Sequence, residues 1–259
     1  MNIWVYVGVV GIGIIAGFIN TLAGSGSLLS LPMLMIAGLP ANVANGTNRI
    51  AILLQNVVGS AGFKKQKILN TRDGITLAIP AIIGSIAGAQ IAVNVNEEVM
   101  KMAIAGLLIV MFFIILFKPS IWIKGRAGSV TPKSKMINMV VFFLIGVYGG
   151  FIQAGVGFFL LAGLVLSAGK DLVKANALKV FIVLLYTPLA LVVFMLHHQV
   201  NYQLGLILAI GNMTGAYIGT KVAASWGPKF VRIFLMVILI FAALQLFGLI
   251  DITSLFIEA

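Results

Sequence analysis

Apolar residues run along this chain almost without interruption, parted only by short polar or glycine-rich intervals. Six runs, near residues 45–63, 75–94, 99–117, 180–196, 204–223 and 230–248, have full spanning length. At a rise of ~1.5 Å per residue, about 20 residues carry a helix across ~30 Å of hydrocarbon. Two other stretches, 3–37 and 136–168, are too long for one crossing and a little short for two. Each is interrupted by glycine: Gly24-Ser25-Gly26-Ser27 in the first, Gly155-Val156-Gly157-Phe158 in the second. The pattern predicts an all-α polytopic membrane protein of about 8–10 membrane helices. Met1-Asn2-Ile3-Trp4 has no basic stretch before its apolar run and reads as a first membrane segment, not a cleaved signal.

The two halves superimpose without a gap at one fixed offset, the spacing from Gly24 to Gly155. That offset also pairs Gly26 with Gly157, Gly38 with Gly169, and Ala44-Asn45 with Ala175-Asn176. Further on it pairs Gly84 with Gly215, Gly88 with Gly219, Ala92 with Ala223, and Lys101 with Arg232. The expected units are a first transmembrane repeat at 1–117, a basic linker at 118–135 and a second repeat at 136–259.

Composition agrees with a bilayer environment. Of 259 residues, 61% are hydrophobic and 9% charged, and the mean hydropathy is +1.15. A water-facing domain needs more polar surface. The net charge of +11 does not imply nucleic acid, because the basic residues lie scattered in short loops. There they report orientation. With four simple spans per half, nine basic residues fall inside and eight outside, which is no bias. If 3–37 and 136–168 are hairpins that return to their own side, fifteen of seventeen gather inside, leaving Arg49 and Lys101. Four of the six acids then lie outside. The expectation is therefore two inverted repeats, each with three full spans and a broken hairpin, and both termini outside.

Paired breaks point to a substrate site between the halves, since irregular backbone at membrane depth survives only against protein or a wet cavity. Gly24, Ser25, Gly26 and Ser27, with Gly155 and Gly157, would offer backbone N–H groups to an anion. Asn45, Thr47, Asn48 and Asn176 could complete its hydrogen-bond shell or cap helices. Arg49 and Lys179 could balance its charge or snorkel to the interface, the second being favoured. Gln55 and Asn56 occupy the positions repeated by Tyr186 and Thr187, and could line a cavity or tie helices together. Gly84-x-x-x-Gly88 and Gly211-x-x-x-Gly215-x-x-x-Gly219 read as close helix packing. No Asp or Glu lies inside a span, no Walker motif exists, and two His with no Cys make no metal set, so no cofactor is expected. Nor is an enzyme expected, since no catalytic set sits at depth.

Gly17-Phe18-Ile19, Gly24-Ser25-Gly26-Ser27, Pro32, Gly38 and Ala44-Asn45-Gly46-Thr47-Asn48, with the repeated Gly149-Gly150-Phe151, Gly155-Val156-Gly157 and Ala175-Asn176, resemble the sulfite exporter TauE/SafE family, the toluene sulfonate uptake permeases. The resemblance implies a permease for small sulfur-containing anions such as sulfite or sulfonates, in a bacterial inner membrane. By position it carries Gly24, Gly26, Thr47, Asn48, Gly155, Gly157 and Asn176 into the site. The family's glycine-rich turn is altered here at Ser27 and Phe158, and the second small-polar turn has become Ala177-Leu178-Lys179. The expected function is a secondary transporter of a small anion working by alternating access; the alternative is a passive anion channel. The expected partners are that anion and the lipid bilayer, with a homo-oligomer left open.

Overall fold

The structure, a computed structural model, describes residues 3–106, 132–170 and 172–222. The run at 230–248, most of the linker, Ala223, Arg232 and most of the run at 99–117 lie outside the described residues. The described chain is helical throughout. Its helices are α1 (Ile3–Ala23), α2 (Ser27–Ile36), α3 (Ala41–Lys65), α4 (Thr71–Val93) and α5 (97–106). Then follow α6 (Pro132–Phe151), α7 (Val156–Ala162, continued by a π turn over Gly163–Ser167), α8 (Leu172–Leu196) and α9 (202–222).

By length and apolar content, Ile3–Leu22, Thr71–Val93 and Val173–Leu196 are candidate membrane spans. With its many apolar helices the chain is a polytopic integral membrane protein. α3 has 25 residues but is more polar, and its Asn45, Asn48, Arg49, Gln55 and Asn56 are all buried against protein. The two hairpin arms of the first break are unequal, 21 residues in α1 and 10 in α2.

The repeat offset, read first from glycines, is also a repeat of backbone conformation. Among the described residues, six have φ in the left-handed region, and they fall into three pairs at that spacing. These are Gly24 and Gly155 (83° and 71°), Gly38 and Gly169 (93° and 65°), and Lys67 and His198 (58° and 56°). The same shift carries the ends of α3 onto those of α8, both 25 residues long. The α3 C-terminus closes with Ile68 N–H on Phe63 O, and the α8 C-terminus with Gln199 N–H on Phe194 O.

α3 and α8 pack side by side in opposite directions. Gly46 meets Gln199 and Phe194, while Gly59 meets Val180. Two ends of the bundle follow. At the basic end, Lys170 pairs with Asp73 and the Gln66 amide donates to Thr220 O. At the far end, Asn201 N–H donates to Thr47 Oγ1 and the Gln199 amide to Val93 O.

The halves interlock through small residues. α4 of the first half lies along α6 of the second, with Gly84 against Phe143, Gly88 against Val147 and Gly146 against Ala81. α9 lies along α1 in the same way, with Gly211 against Val10, Gly215 against Ile14 and Gly17 against Asn212. Both glycine motifs thus pack helices closely, as their spacing suggested. A Cβ at Gly88 or Gly215 would overlap a carbonyl oxygen of the facing helix, and backbone cannot swing aside as a side chain can. Gly11, on the exposed face of α1, has open space where its Cβ would go. Gly88→Val and Gly215→Val are each expected to lower stability by about 3 kcal/mol. Gly11→Ala should leave stability unchanged or raise it by up to ~1 kcal/mol. Thermal unfolding of the purified protein in detergent checks both.

Candidate functional site

The two glycine breaks meet in the interior. Gly24 ends α1 in the left-handed conformation, and Gly155 precedes α7 in the same one. Gly157 N–H donates to Gly24 O at 3.2 Å. A side chain on Gly24 or Gly157 would run into the other's backbone, so neither position admits a Cβ without separating the halves. Beside this contact is a small cavity, with room for about one water molecule. Gly24, Ser27, Asn56, Gly157 and Lys179 line it, together with Asn20, Gln153, Val156 and Val183.

Breaking α1 and α6 inside the protein leaves carbonyl groups without helical partners. Two buried cations serve them, each reaching from the opposite half. Lys179 Nζ of α8 donates to Asn20 O at 2.8 Å and Thr21 O at 3.2 Å, at the end of α1. Its third bond goes to Asn176 Oδ1 at 2.6 Å. The Arg49 guanidinium of α3 donates to Gly149 O at 3.1 Å and Gly150 O at 2.6 Å, at the end of α6. It also donates to Gln153 Oε1 at 3.1 Å, and it stacks on Phe194 with 4.5 Å to the ring centre. Asn45 adds a bond from Nδ2 to Phe151 O at 2.7 Å.

Arg49 is 0% and Lys179 2% exposed, which overturns the favoured snorkelling reading of both. Open carbonyls within reach hold their charges inside the protein instead of at an interface. The two residues consequently drop out of the inside-outside charge count. Among the described residues, neither cation has a carboxylate partner.

The other proposed residues form a polar layer around the breaks. Asn48 Nδ2 donates to Ser27 Oγ at 3.1 Å, and its Oδ1 accepts from Ser30 Oγ at 2.7 Å. Gln55 Oε1 accepts from Asn20 Nδ2 at 3.2 Å and Asn212 Nδ2 at 3.1 Å, so Gln55 ties α1, α3 and α9 together. Gln55 Nε2 and Ser25 Oγ are buried and have no hydrogen-bond partner among the described residues. Asn56, though it lines the cavity, gives its Nδ2 to Ile52 O at 2.7 Å. Gly26 packs on Ala16 of α1, Gly155 forms the second turn, and Thr47 is spent at the far end on Asn201.

Gln153 and Asn20 were not anticipated. Gln153 joins the cavity to both Arg49 and Tyr186, whose hydroxyl accepts from Nε2 at 3.1 Å. A glutamine two residues before Gly155 in an otherwise apolar stretch was the available signal. Gln90 is exposed, whereas Asn212 ties α9 to Gln55.

Residues 9–246 match the family model described as Sulfite exporter TauE/SafE. This chain belongs to the TauE/SafE family. A probable membrane transporter protein, ORF9, from Sinorhizobium sp is 29% identical over 90% of this chain and 88% of its own length. The probable membrane transporter protein YfcA of Escherichia coli strain K12 is 26% identical over 88% of this chain and 84% of its own. A probable membrane transporter protein of Haemophilus influenzae is 25% identical over 85% and 86%. No solved structure matches the chain. Membership places this protein in a family of membrane transporters, and the match over residues 9–246 takes in both glycine breaks.

Replacing Arg49 by Met should strand the Gly149 and Gly150 carbonyls and cost ~3 kcal/mol, at ~1–3 kcal/mol per buried unsatisfied group. Arg49→Lys should recover only part of this, since one ammonium cannot reproduce the planar fork. Denaturant or thermal unfolding of the two variants checks the order.

Proposed function

We propose that the chain is a secondary carrier of a small sulfur oxyanion or organosulfonate, working by alternating access around the Gly24–Gly157 contact. The observation that carries this reading is the Lys179 ammonium, buried on the cavity wall beside both glycine breaks with no carboxylate facing it among the described residues. An interior positive charge held only by neutral acceptors is a costly arrangement, and such groups in membrane proteins mark ion or substrate pathways. An entering anion can compete with Asn20 O, Thr21 O and Asn176 Oδ1 for the ammonium. Ser27 Oγ, which accepts from Asn48, keeps its own O–H to donate. Buried Gln55 Nε2 and Ser25 Oγ add unused hydrogen-bonding capacity nearby.

The inverted-repeat expectation is supported by α3 and α8, which correspond at the repeat offset yet run antiparallel. It is further supported by the clustering of Lys67, Lys170 and Lys174 at one end, where positive charge marks the cytoplasmic side. In this arrangement each half's first helix is capped by a cation from the other half. Rocking one half against the other would therefore exchange cation-carbonyl bonds on both sides of the cavity. The relatives' printed descriptions, as probable membrane transporters, fit this reading.

Sulfite or a small sulfonate should raise the melting temperature of the purified protein by mass action. Lys179→Gln should abolish that rise and cut counterflow of labelled sulfite in proteoliposomes by at least about 10-fold, the factor for ~1.4 kcal/mol of lost binding. Counterflow separates a carrier from a channel. Carboxylates or phosphate binding in preference would reassign the substrate, and unchanged counterflow in Lys179→Gln would sink the site. For topology, the chain has no cysteine, so Ala37→Cys and Ala168→Cys report alone. An impermeant thiol reagent should reach Ala37→Cys from outside intact cells and Ala168→Cys only after lysis.

A further inference from the structure

We propose that the cavity selects doubly charged oxyanions over singly charged ones, and that Gln153 brings the second buried cation to bear on the ligand. The place of binding rests on the carrier reading. The substrate class narrows from sulfur oxyanions at large to dianions such as sulfite, with organosulfonates disfavoured.

Two buried positive charges lie at the breaks. Among the described residues lining the cavity, Lys179 alone is charged. Its three N–H groups all go to neutral acceptors, Asn20 O, Thr21 O and Asn176 Oδ1, so its charge is solvated and not cancelled. Arg49 is the second cation, and its described partners are neutral too. The described acids are placed elsewhere: Asp73 pairs with Lys170, Glu97 with Lys101, and Glu98 is exposed. Asp171 precedes α8 in the sequence, and that helix rises ~10 Å from Leu172 to Lys179. Helix ends at the breaks come in opposed pairs, the C-terminus of α1 with the N-terminus of α2 and that of α6 with that of α7, so their partial charges largely cancel. A monoanion would leave one interior charge uncompensated, whereas a dianion offsets both. An unpaired buried charge is costly, so a second negative charge on the ligand is favoured here.

Arg49 is not among the lining residues, and Gln153 connects it to them. Gln153 lies in the unwound stretch between α6 and α7, buried on the cavity wall. Its Oε1 accepts from Arg49 Nη1 at 3.1 Å, and its Nε2 donates one N–H to the Tyr186 hydroxyl at 3.1 Å. The second Nε2 N–H has no acceptor among the described residues. A guanidinium on the amide oxygen polarises the group and makes that N–H a stronger donor to an anion.

The repeat shows that this link belongs to one half only. At the repeat offset Gln153 becomes Leu22, Arg49 becomes Val180 and Lys179 becomes Asn48. Leu22 and Val180 are buried apolar residues. The two cations therefore sit one position apart on corresponding helices, and each break receives one. Lys179 reaches the cavity directly. Arg49 reaches it only through a glutamine that the first half replaces with leucine.

Calorimetric titration of the purified protein at constant ionic strength checks the charge preference. Sulfite and thiosulfate at an alkaline pH, and sulfate, are dianions; methanesulfonate is a monoanion nearly isosteric with sulfate. The best-bound dianion should exceed methanesulfonate by about 10-fold or more, the factor that a second unit charge ~10 Å away supplies at an effective dielectric constant near 20. Q153E is isosteric, sets a carboxylate against the Arg49 guanidinium and can still accept from the Tyr186 hydroxyl. It should bring the ratio to within ~2-fold of unity. Q153M removes the polarised amide but not the Arg49 charge, and its ratio should fall between the two. A glutamine that only ties Arg49 to Tyr186 would let both variants lower the melting temperature while the ratio stays at the parent value, and that result overturns the proposal. So does methanesulfonate binding as tightly as the best dianion in the parent protein. If no ion binds, the cavity is not an anion site and the carrier reading falls with it. If the ratios are as expected but labelled sulfite shows no counterflow, the carrier reading fails alone and the charge selection stands.

Discussion

Inside a bilayer a helix that ends cannot turn to water for partners, and α1 and α6 both end within the protein. Their last carbonyls need donors, and unsatisfied ones cost ~1–3 kcal/mol each. Lys179 serves α1, while Arg49 and Asn45 serve α6. Each donor comes from the opposite half, so satisfying the breaks also joins the halves. Moving Lys179 off α8, or Arg49 off α3, would remove the cap and the tie together.

From that constraint the rest of the interior follows. The breaks bring Gly24 and Gly157 into backbone contact, which only residues without a Cβ permit. Asn20, Gln55 and Asn212 then fasten α1, α3 and α9 around the first break. Gln153 links the second break to Arg49 and Tyr186. The result is a polar layer with two positive charges and, among the described residues, no acid to neutralise them. That acid-free layer is the feature on which the proposed carrier function rests.

Legibility in the sequence varied with the type of signal. Glycine needs no partner to reveal its role, so Gly24, Gly155 and the packing motifs of α4 and α9 could be read directly. The spacing between the halves also survived, because it is stored in turn conformations as well as in residue identities. Arg49 and Lys179 misled: at span ends, long cations ordinarily snorkel. Their actual partners are carbonyl groups 100 and 159 residues away, which no local pattern announces. Gln153 and Asn20 were missed for the same reason, since a lone amide in an apolar run is ambiguous until its neighbours are known.

The sequence by itself determined that this is a helical membrane protein whose glycine breaks recur at one fixed spacing. Those properties depend on residue type and spacing along one chain. Only the tertiary structure decided which breaks meet and which carbonyls the buried cations hold. Those depend on distances between segments far apart in sequence. A basic side chain looks the same in the sequence whether it ends in water, in lipid headgroups or on the open end of another helix.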